Sequence, residues 1–199
     1  MDESFWTIVA TWFMYFVFYS VCGFFLEIVH TATNRGVWEN RGFLFGPYCP
    51  IYGVGALILI ATTHHLAVNP LMVFLMAMFV CTTIEYITGW ILEKIFKMKW
   101  WDYSKVALNF QGRICLKNSI LFGFGGLVII YITQPSVEAI VAGLPSGLLI
   151  GLSIISAIIM LIDFVMSTIA NYNIRNIVEN SAQQIKSAAI NFYIHPKKH

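Results

Sequence analysis

The chain has 199 residues, of which 58% are hydrophobic and only 11% are charged. Soluble globular domains carry about 25% charged residues, so the composition excludes an ordinary soluble domain. Twelve Lys and Arg against ten Asp and Glu give a net charge of +2, which indicates neither an acidic partner nor nucleic acid.

Five hydrophobic runs follow one another along the chain, and a bilayer core needs about 20 apolar residues per helix. The runs are residues 5–29, 52–66, 71–96, 120–133 and 146–170, the second and fourth of them short. Asn69-Pro70 and Gln134-Pro135 separate neighbouring runs, because the residue before a proline disfavours helical geometry. The sequence therefore predicts an all-α, polytopic membrane helix bundle with about five transmembrane helices.

The basic residues all fall on one side of this predicted bundle. They lie between runs one and two, at or between runs three and four, and after run five, whereas the amino terminus and the loops around Pro70 and Pro135 have none. Basic residues beside membrane helices are retained in the cytoplasm. We therefore expect a multi-pass protein of the cell membrane, with the amino terminus outside and both basic loops and the carboxyl terminus in the cytoplasm.

The end of the chain has a different pattern. Residues 1–171 are predicted to form the transmembrane domain, and residues 172–199 a cytoplasmic amphipathic helical tail. Its apolar residues recur at steps of three and four, namely Ile174, Ile177, Val178, Ile185, Ala189 and Phe192. Such a helix either continues run five or bends onto the membrane face, where it could bind the surface or pack against the basic loops.

An internal repeat relates the first two runs to the next two. Five residues recur at a constant offset: Gly23, Leu26, Glu27, Gly46 and Cys49 correspond to Gly89, Leu92, Glu93, Gly112 and Cys115. Each unit is a helix, a basic loop and a short helix that begins with glycines. Because both units would have the same orientation, the pattern predicts a parallel two-helix repeat followed by a fifth helix.

Acidic residues inside the runs are the next signal, because a charged acid at the centre of a membrane helix costs about 2.5 to 3.5 kcal/mol. Glu85 lies deep in run three and shares a helix face with Thr82 and Gly89. We expect it to face the bundle interior, near a polar group from a loop or another helix. Asp163 belongs to a comparable polar stripe in run five. Either acid could line a polar pathway or form a structural pair.

The two basic loops mix aromatic residues, Gly, Pro and isolated charges, which suits backbone buried against protein at the membrane mouth. Arg41 and Arg113 are suited to binding a carboxylate or phosphate, although Glu39 and Asp102 could pair with them instead. We expect the loops to lie side by side, so that both arginines line one cytoplasm-facing site with the repeat-matched acids. The candidate substrate-binding residues are Glu27, Arg41, Glu85, Glu93, Asp102, Asn109 and Arg113.

The cysteines point to neither a metal nor a disulfide framework. Cys22, Cys49, Cys81 and Cys115 follow no metal-binding spacing, so we expect no metal and no cofactor. A catalytic thiol would want a nearby histidine, and only His30 could approach Cys49 or Cys115. The catalytic residues of any enzymatic activity stay undefined.

Four segments combine into a specific pattern: Asn40-Arg-Gly-Phe-Leu-Phe-Gly-Pro-Tyr-Cys-Pro-Ile-Tyr-Gly53, Glu85-Tyr86, Trp101-Asp-Tyr-Ser104 and Asn109-Phe-Gln-Gly-Arg-Ile-Cys-Leu116. Together they resemble the putative ABC-transporter type IV permeases, to which transmembrane-protein-229-like proteins of animals are similar. The resemblance covers about residues 15–130, and run five and the tail fall outside it. It implies a permease, with no established substrate or binding residues to carry over.

The sequence has no G-x-x-x-x-G-K-[ST] phosphate loop, so an ABC mechanism would need a separate ATPase subunit, with residues 97–118 as the docking candidate. Membrane lipids and a second copy of the chain are further expected partners. Three functional classes follow: a permease component for a small or amphiphilic solute, a membrane-embedded enzyme acting on a lipid or anionic headgroup, and a non-catalytic assembly or regulatory protein. Glu85, the repeat and the family resemblance favour the permease over an enzyme.

Overall fold

A computed structural model of the chain describes residues 3–36, 42–63 and 69–194. The predicted all-α class is confirmed. The helices are α1 (Glu3–Arg35), α2 (Pro50–Thr63), α3 (Pro70–Phe96), α4 (Leu116–Val128), α5 (Gln134–Ala142) and α6 (Ser146–Ile194). A π-helical turn, Ile129–Thr133, joins α4 to α5 in one continuous rod, and a ladder of β1 (Asn109–Phe110) and β2 (Ile114–Cys115) lies in the loop after α3.

The helices make a polytopic membrane bundle. Four are long and apolar enough to cross a bilayer, namely Phe5–Thr33, Pro70–Phe96, Leu116–Ala142 and Ser146–Gln184. The fifth, α2, is apolar but has only 14 residues, a rise of about 21 Å. The structure therefore has the five predicted helices, one of them shorter than the bilayer core is thick.

The proline that begins α3 acts as the sequence predicts. Pro70 is the first residue of the helix, where its missing N–H costs nothing, and the Asn69 side chain accepts a hydrogen bond from the Leu71 N–H at 3.0 Å. At the other end, Lys97 takes a left-handed conformation with φ 57° and donates its N–H to the Glu93 carbonyl. These two caps set the bounds of α3.

The second proline does not end a helix, so the prediction that Gln134-Pro135 breaks the chain is wrong. Proline cannot donate to the carbonyl of the preceding turn, but the wider π-helical turn before Pro135 relieves that defect. The Gln134 N–H bonds the Ile129 carbonyl across this turn, and the Thr133 hydroxyl donates to the same carbonyl at 3.3 Å. The chain breaks instead between Ala142 and Ser146.

Each predicted repeat unit folds as a helical hairpin, because α1 packs most extensively on α2, and α3 on α4. Small residues bring the backbones together. Gly53 of α2 lies against Ser20 of α1, and Gly126 of α4 lies against Ala77 of α3. Such contacts drive helix association in membranes, where packing and hydrogen bonds replace the hydrophobic effect between helices.

The longest helix, α6, runs unbroken from Ser146 to Ile194, so the predicted tail continues run five. It packs on α1, where the Ser153 hydroxyl bonds the Ala10 carbonyl at 3.2 Å. A buried core where α6 packs on α1 comprises Ala10, Tyr15, Tyr19, Ala56, Val137, Val141 and Leu149. The side chains of Ile185, Ala189 and Phe192 lie outside the described part of the chain.

Candidate functional site

Glu85 of α3 is buried, with 7% of its surface exposed. Tyr103, from the loop between α3 and α4, donates its hydroxyl to Glu85 Oε1 at 2.9 Å. Glu85 Oε2 is buried as well and has no hydrogen-bond partner among the residues that the structure describes. Glu85 therefore faces the bundle interior near a polar loop group, as its helix face with Thr82 and Gly89 predicts.

A second Tyr–Glu pair lies beside the first. Tyr52 of α2 donates its hydroxyl to Glu27 Oε2 of α1 at 2.8 Å. The negative charges of Glu85 and Glu27 both act on Tyr103: burial raises the pKa of that phenol first, and the two carboxylates raise it further. The two pairs thus form one group, the Tyr–Glu cluster, made of Glu27, Tyr52, Glu85 and Tyr103.

The loop between α3 and α4 is organised to present Tyr103. The Asn109 side chain donates to the Val106 carbonyl at 2.7 Å and accepts from the Gly112 N–H at 3.0 Å. Tyr103 N–H in turn donates to the Gly112 carbonyl at 2.8 Å. Gly112 has φ +68°, a conformation that favours glycine. The candidate residue Asn109 thus lies among the bonds that fold this loop.

Asp102 lies on the surface of the same loop. Its Oδ1 accepts from the Ser104 N–H at 3.0 Å and from the Ser104 hydroxyl at 2.5 Å, and Lys99 Nζ lies 3.7 Å away. The hydrogen bonds from Ser104 hold the pKa of Asp102 below its usual range. Asp102 therefore closes a local turn, and it is not the partner of Arg113.

Arg113 pairs instead with Glu93. Its Nε and Nη2 donate to Glu93 Oε2 at 3.1 and 2.8 Å, its Nη1 bonds Gln111, and the guanidinium lies 5.8 Å from the centre of the Tyr86 ring. The pair borders an open groove of about 280 Å³ lined by Trp90, Glu93, Lys94, Lys97 and Arg113. These charge-assisted bonds occupy the guanidinium N–H donors that would otherwise bind a ligand carboxylate or phosphate.

The predicted site of two arginines and two glutamates stays a prediction, because one of its arginines is not described. Glu27 bonds Tyr52 near Glu85, whereas Glu93 bonds Arg113 at the groove. Arg41 and Glu39 lie outside the described residues. The repeat-matched glutamates therefore have different partners, a phenol in the first hairpin and a guanidinium in the second.

Asp163 of α6 attaches the first basic loop to the bundle. Its Oδ2 accepts from the Gly46 N–H at 2.8 Å and the Tyr48 hydroxyl at 2.6 Å. Its Oδ1 accepts from the Phe45 N–H at 3.1 Å and the Ser167 hydroxyl at 2.9 Å. The polar stripe of run five is thus a structural clamp for the loop segment that carries the longest sequence motif.

The two basic loops lie side by side, as predicted. Phe43 of the first loop packs against Trp100 of the second in a tilted arrangement, with ring centroids 5.7 Å apart. Phe43 also contacts Phe96 at the end of α3, at 5.4 Å, and Phe164 of α6, at 6.0 Å. This aromatic contact holds both loops against the same end of the bundle.

The cysteines near the cluster are poorly suited to nucleophilic chemistry. Burial raises the pKa of the Cys49 thiol to about 12, and the charge of Glu27 adds to the effect. Cys115 is 1% exposed. A reactive thiol needs a depressed pKa and access. Within the described ranges, no group of three or more His, Cys, Asp or Glu is arranged to hold a metal ion.

Tyr52 and Tyr103 were not among the residues predicted for the site. Both lie in the motif segments, Tyr52 just before Gly53 and Tyr103 in Trp101–Ser104. A buried tyrosine hydroxyl usually finds a hydrogen-bond partner. The carboxylates of Glu27 and Glu85 are natural acceptors, and that pairing was the signal that could have identified both phenols.

Comparison with known protein families gives one match. A family model described as Putative ABC-transporter type IV matches residues 14–168. No curated protein and no solved structure matches the chain significantly. The expectation that run five falls outside the family pattern is wrong, since the match includes Asp163 and Ser167. Those two side chains bond the motif segment around Phe45, which gives the extension a structural reason.

Proposed function

The chain belongs to the putative ABC-transporter type IV family, and from this premise we propose that it is the permease component of a transporter for a small solute, with the Tyr–Glu cluster as its solute site. The single observation that carries the proposal is the buried, half-satisfied carboxylate of Glu85. A purely structural carboxylate would have both oxygens bonded, because unpaired buried polar groups are costly.

The family motifs support the choice of this cluster. Tyr52, Glu85 and Tyr103 come from three separate motif segments, and they meet with Glu27 in one place. Residues that are far apart in sequence converge there through α1, α2, α3 and the second basic loop. The groove at Arg113 has less support as a solute site, because its arginine is already paired with Glu93.

The proposed orientation has the amino terminus outside and both basic loops in the cytoplasm of the cell. The distribution of Lys and Arg supports it. Tyr103 belongs to the second basic loop, so the Tyr–Glu cluster would open toward the cytoplasm. The tail of α6 would extend from the same side.

A separate ATPase subunit is the proposed partner, docked on the second basic loop. This loop exposes Leu108, at 75%, and Phe110, at 56%, beside Lys99 and Lys105. Apolar side chains beside basic ones at a membrane surface suit a protein contact. A membrane-embedded enzyme acting on an anionic headgroup has less support, since the described loops offer it a paired arginine and a deactivated thiol.

The test begins with the solute that copurifies with the protein, identified by mass spectrometry. Its uptake is then measured in proteoliposomes that contain the chain and any copurified ATPase. We expect uptake that falls at least about tenfold in Glu85→Gln, the loss expected for one charged hydrogen bond. Glu138→Gln, the same change at an exposed site on α5, should leave uptake intact. Folded protein that moves no copurified solute with its partner and ATP present would contradict the permease role.

A further inference from the structure

The Tyr–Glu cluster presents only hydrogen-bond acceptors to a ligand. Each tyrosine has one O–H proton, and both are already donated, Tyr52 to Glu27 and Tyr103 to Glu85. When both carboxylates are ionised, they have no proton to donate. Whatever binds here must therefore supply the donors itself.

One acceptor in the cluster is open. Glu85 Oε2 is buried and has no hydrogen-bond partner among the described residues, although its Oε1 is held by Tyr103. No Lys or Arg side chain that the structure describes bonds to the carboxylate of Glu27 or Glu85. Among the described residues, the hydrogen bonds that these two carboxylates accept come from neutral phenols, which do not cancel a negative charge.

These features exclude several classes of ligand. An anion would be repelled by two carboxylates. A metal ion would need more charged ligands than the cluster provides, and the described residues contain no suitable group. Protonation of Glu85 would remove its charge without any ligand, and a proton-uptake measurement distinguishes that case from amine binding. An ammonium group fits both features of the cluster, because it brings a positive charge for the carboxylates and three donors for the open acceptor.

We propose that the Tyr–Glu cluster binds the protonated amino group of a cationic organic solute, which donates to Glu85 Oε2 and is attracted by Glu27. This inference rests on the proposed function, since it names the substrate class of the same site. Glu85 is buried while Glu27, Tyr52 and Tyr103 are half-buried. The amine would therefore approach past Glu27 and the phenols and reach Glu85 last.

The test is direct binding to the full-length protein purified in detergent, with radiolabelled methylammonium, ethanolamine and spermidine as probes of increasing size. We expect at least one probe to bind saturably and to be displaced by other amines but not by acetate or phosphate. Glu85→Gln should weaken binding at least about tenfold. Glu138→Gln, which removes the same charge from an exposed site, should bind as the unmodified protein does.

A second variant distinguishes loss of the binding site from loss of the fold. Tyr103→Phe keeps the Glu85 charge but removes the hydroxyl that holds Oε1, so binding should weaken several-fold while thermal unfolding stays cooperative. Three results would overturn the inference: none of the three amines binds, anions bind instead, or Glu85→Gln binds amines as well as the unmodified protein. Proton uptake on acidification that depends on Glu85, without amine binding, would also overturn it and identify a proton site.

Binding in detergent is independent of transport, so the two proposals can fail separately. If amines bind through Glu85 but no solute crosses the proteoliposome membrane, the permease role is contradicted and the amine site stands. If the transported solute has no amino group, the permease role stands and the amine site is contradicted.

Discussion

At the scale of single residues, the acids of this protein differ in how completely their oxygens are bonded. Asp163 accepts four hydrogen bonds, two of them from backbone N–H groups. Arg113 donates twice to a single oxygen of Glu93, Oε2. Glu27 and Glu85 each accept one bond from a phenol. Asp163, with both oxygens bonded, holds structure, whereas the buried and unbonded Oε2 of Glu85 is available to a ligand.

The clamp on α6 gives the first prediction. Asp163→Ala should lower the free energy of unfolding by about 2 kcal/mol, because it leaves the N–H groups of Phe45 and Gly46 without their charged acceptor. Unfolding in detergent, with limited proteolysis of residues 42–48, measures the effect. Glu179→Ala is the matched control: it breaks an exposed i,i+4 pair with Arg175 and should cost about 0.5 kcal/mol. Equal losses in both variants would contradict the clamp.

The half-buried thiol of Cys49 gives a prediction about pH. A thiol with a pKa near 12 is almost wholly protonated at neutral pH, and its thiolate fraction grows about tenfold with each pH unit. In a variant that keeps only Cys49, alkylation by iodoacetamide should therefore keep accelerating from pH 7 to 10. A single cysteine at the exposed Lys105 position should level off near pH 9. A plateau near pH 9 for Cys49 would show an ordinary, solvated thiol.

Residue-scale features were predictable from sequence where they are local. The face of Glu85 follows from helix periodicity with Thr82 and Gly89. Its partner Tyr103 is 18 residues away, on a loop whose shape depends on the positive φ of Gly112 and on a short β ladder. Such tertiary contacts leave no periodic trace in the sequence, and for that reason the site prediction favoured Arg113 over the phenols.

At the scale of elements, close approach between helices holds each hairpin together. Proline was a less dependable sequence signal for the end of a helix, as Pro135 shows. A proline predicts a break when the helix cannot adjust its hydrogen bonds, but the π-helical turn before Pro135 supplies that adjustment. Pro70, at the first position of α3, needs no compensation, and there the predicted boundary is confirmed.

The contact between α1 and α2 gives a prediction for this scale. A Cβ on Gly53 would meet Ser20 Oγ and the Phe16 carbonyl oxygen, and the backbone atom cannot move aside without shifting α1. Gly53→Ala should therefore destabilise the protein by about 1 to 3 kcal/mol. Gly151→Ala in α6, where nothing lies within 4 Å, should be neutral or stabilising by up to about 1 kcal/mol. Thermal unfolding of both variants distinguishes a tight helix contact from a general effect of removing glycine.

At the scale of the whole molecule, the basic residues lie between runs one and two, at or between runs three and four, and after run five. The described ends of the helices alternate between a side with basic loops and a side without them, and the family match spans both hairpins and the first part of α6. Hydrophobic length was enough to predict the membrane helices, because the bilayer core sets their length. The orientation stays a prediction from the positions of the basic residues.

The proposed orientation gives the last prediction. In a cysteine-free background, Lys105→Cys should react with a membrane-impermeant maleimide only after the cells are opened. Gly143→Cys, between α5 and α6, should react in intact cells. Both positions are exposed, and a side chain at Gly143 meets only ordinary contacts at 3.5 Å. Labelling of the Lys105 position in intact cells would reverse the orientation.

The unbroken course of α6 has a mechanical consequence. Its 49 residues make a rod of about 73 Å, more than twice the roughly 30 Å core of a bilayer. Asp163 fastens the first basic loop to this rod about one third of the way along it. Because a continuous helix resists twisting and bending, a rotation of its projecting end also rotates the segment that carries Asp163. We therefore expect α6 to transmit a force on the tail to the first basic loop, which lies beside the Tyr–Glu cluster.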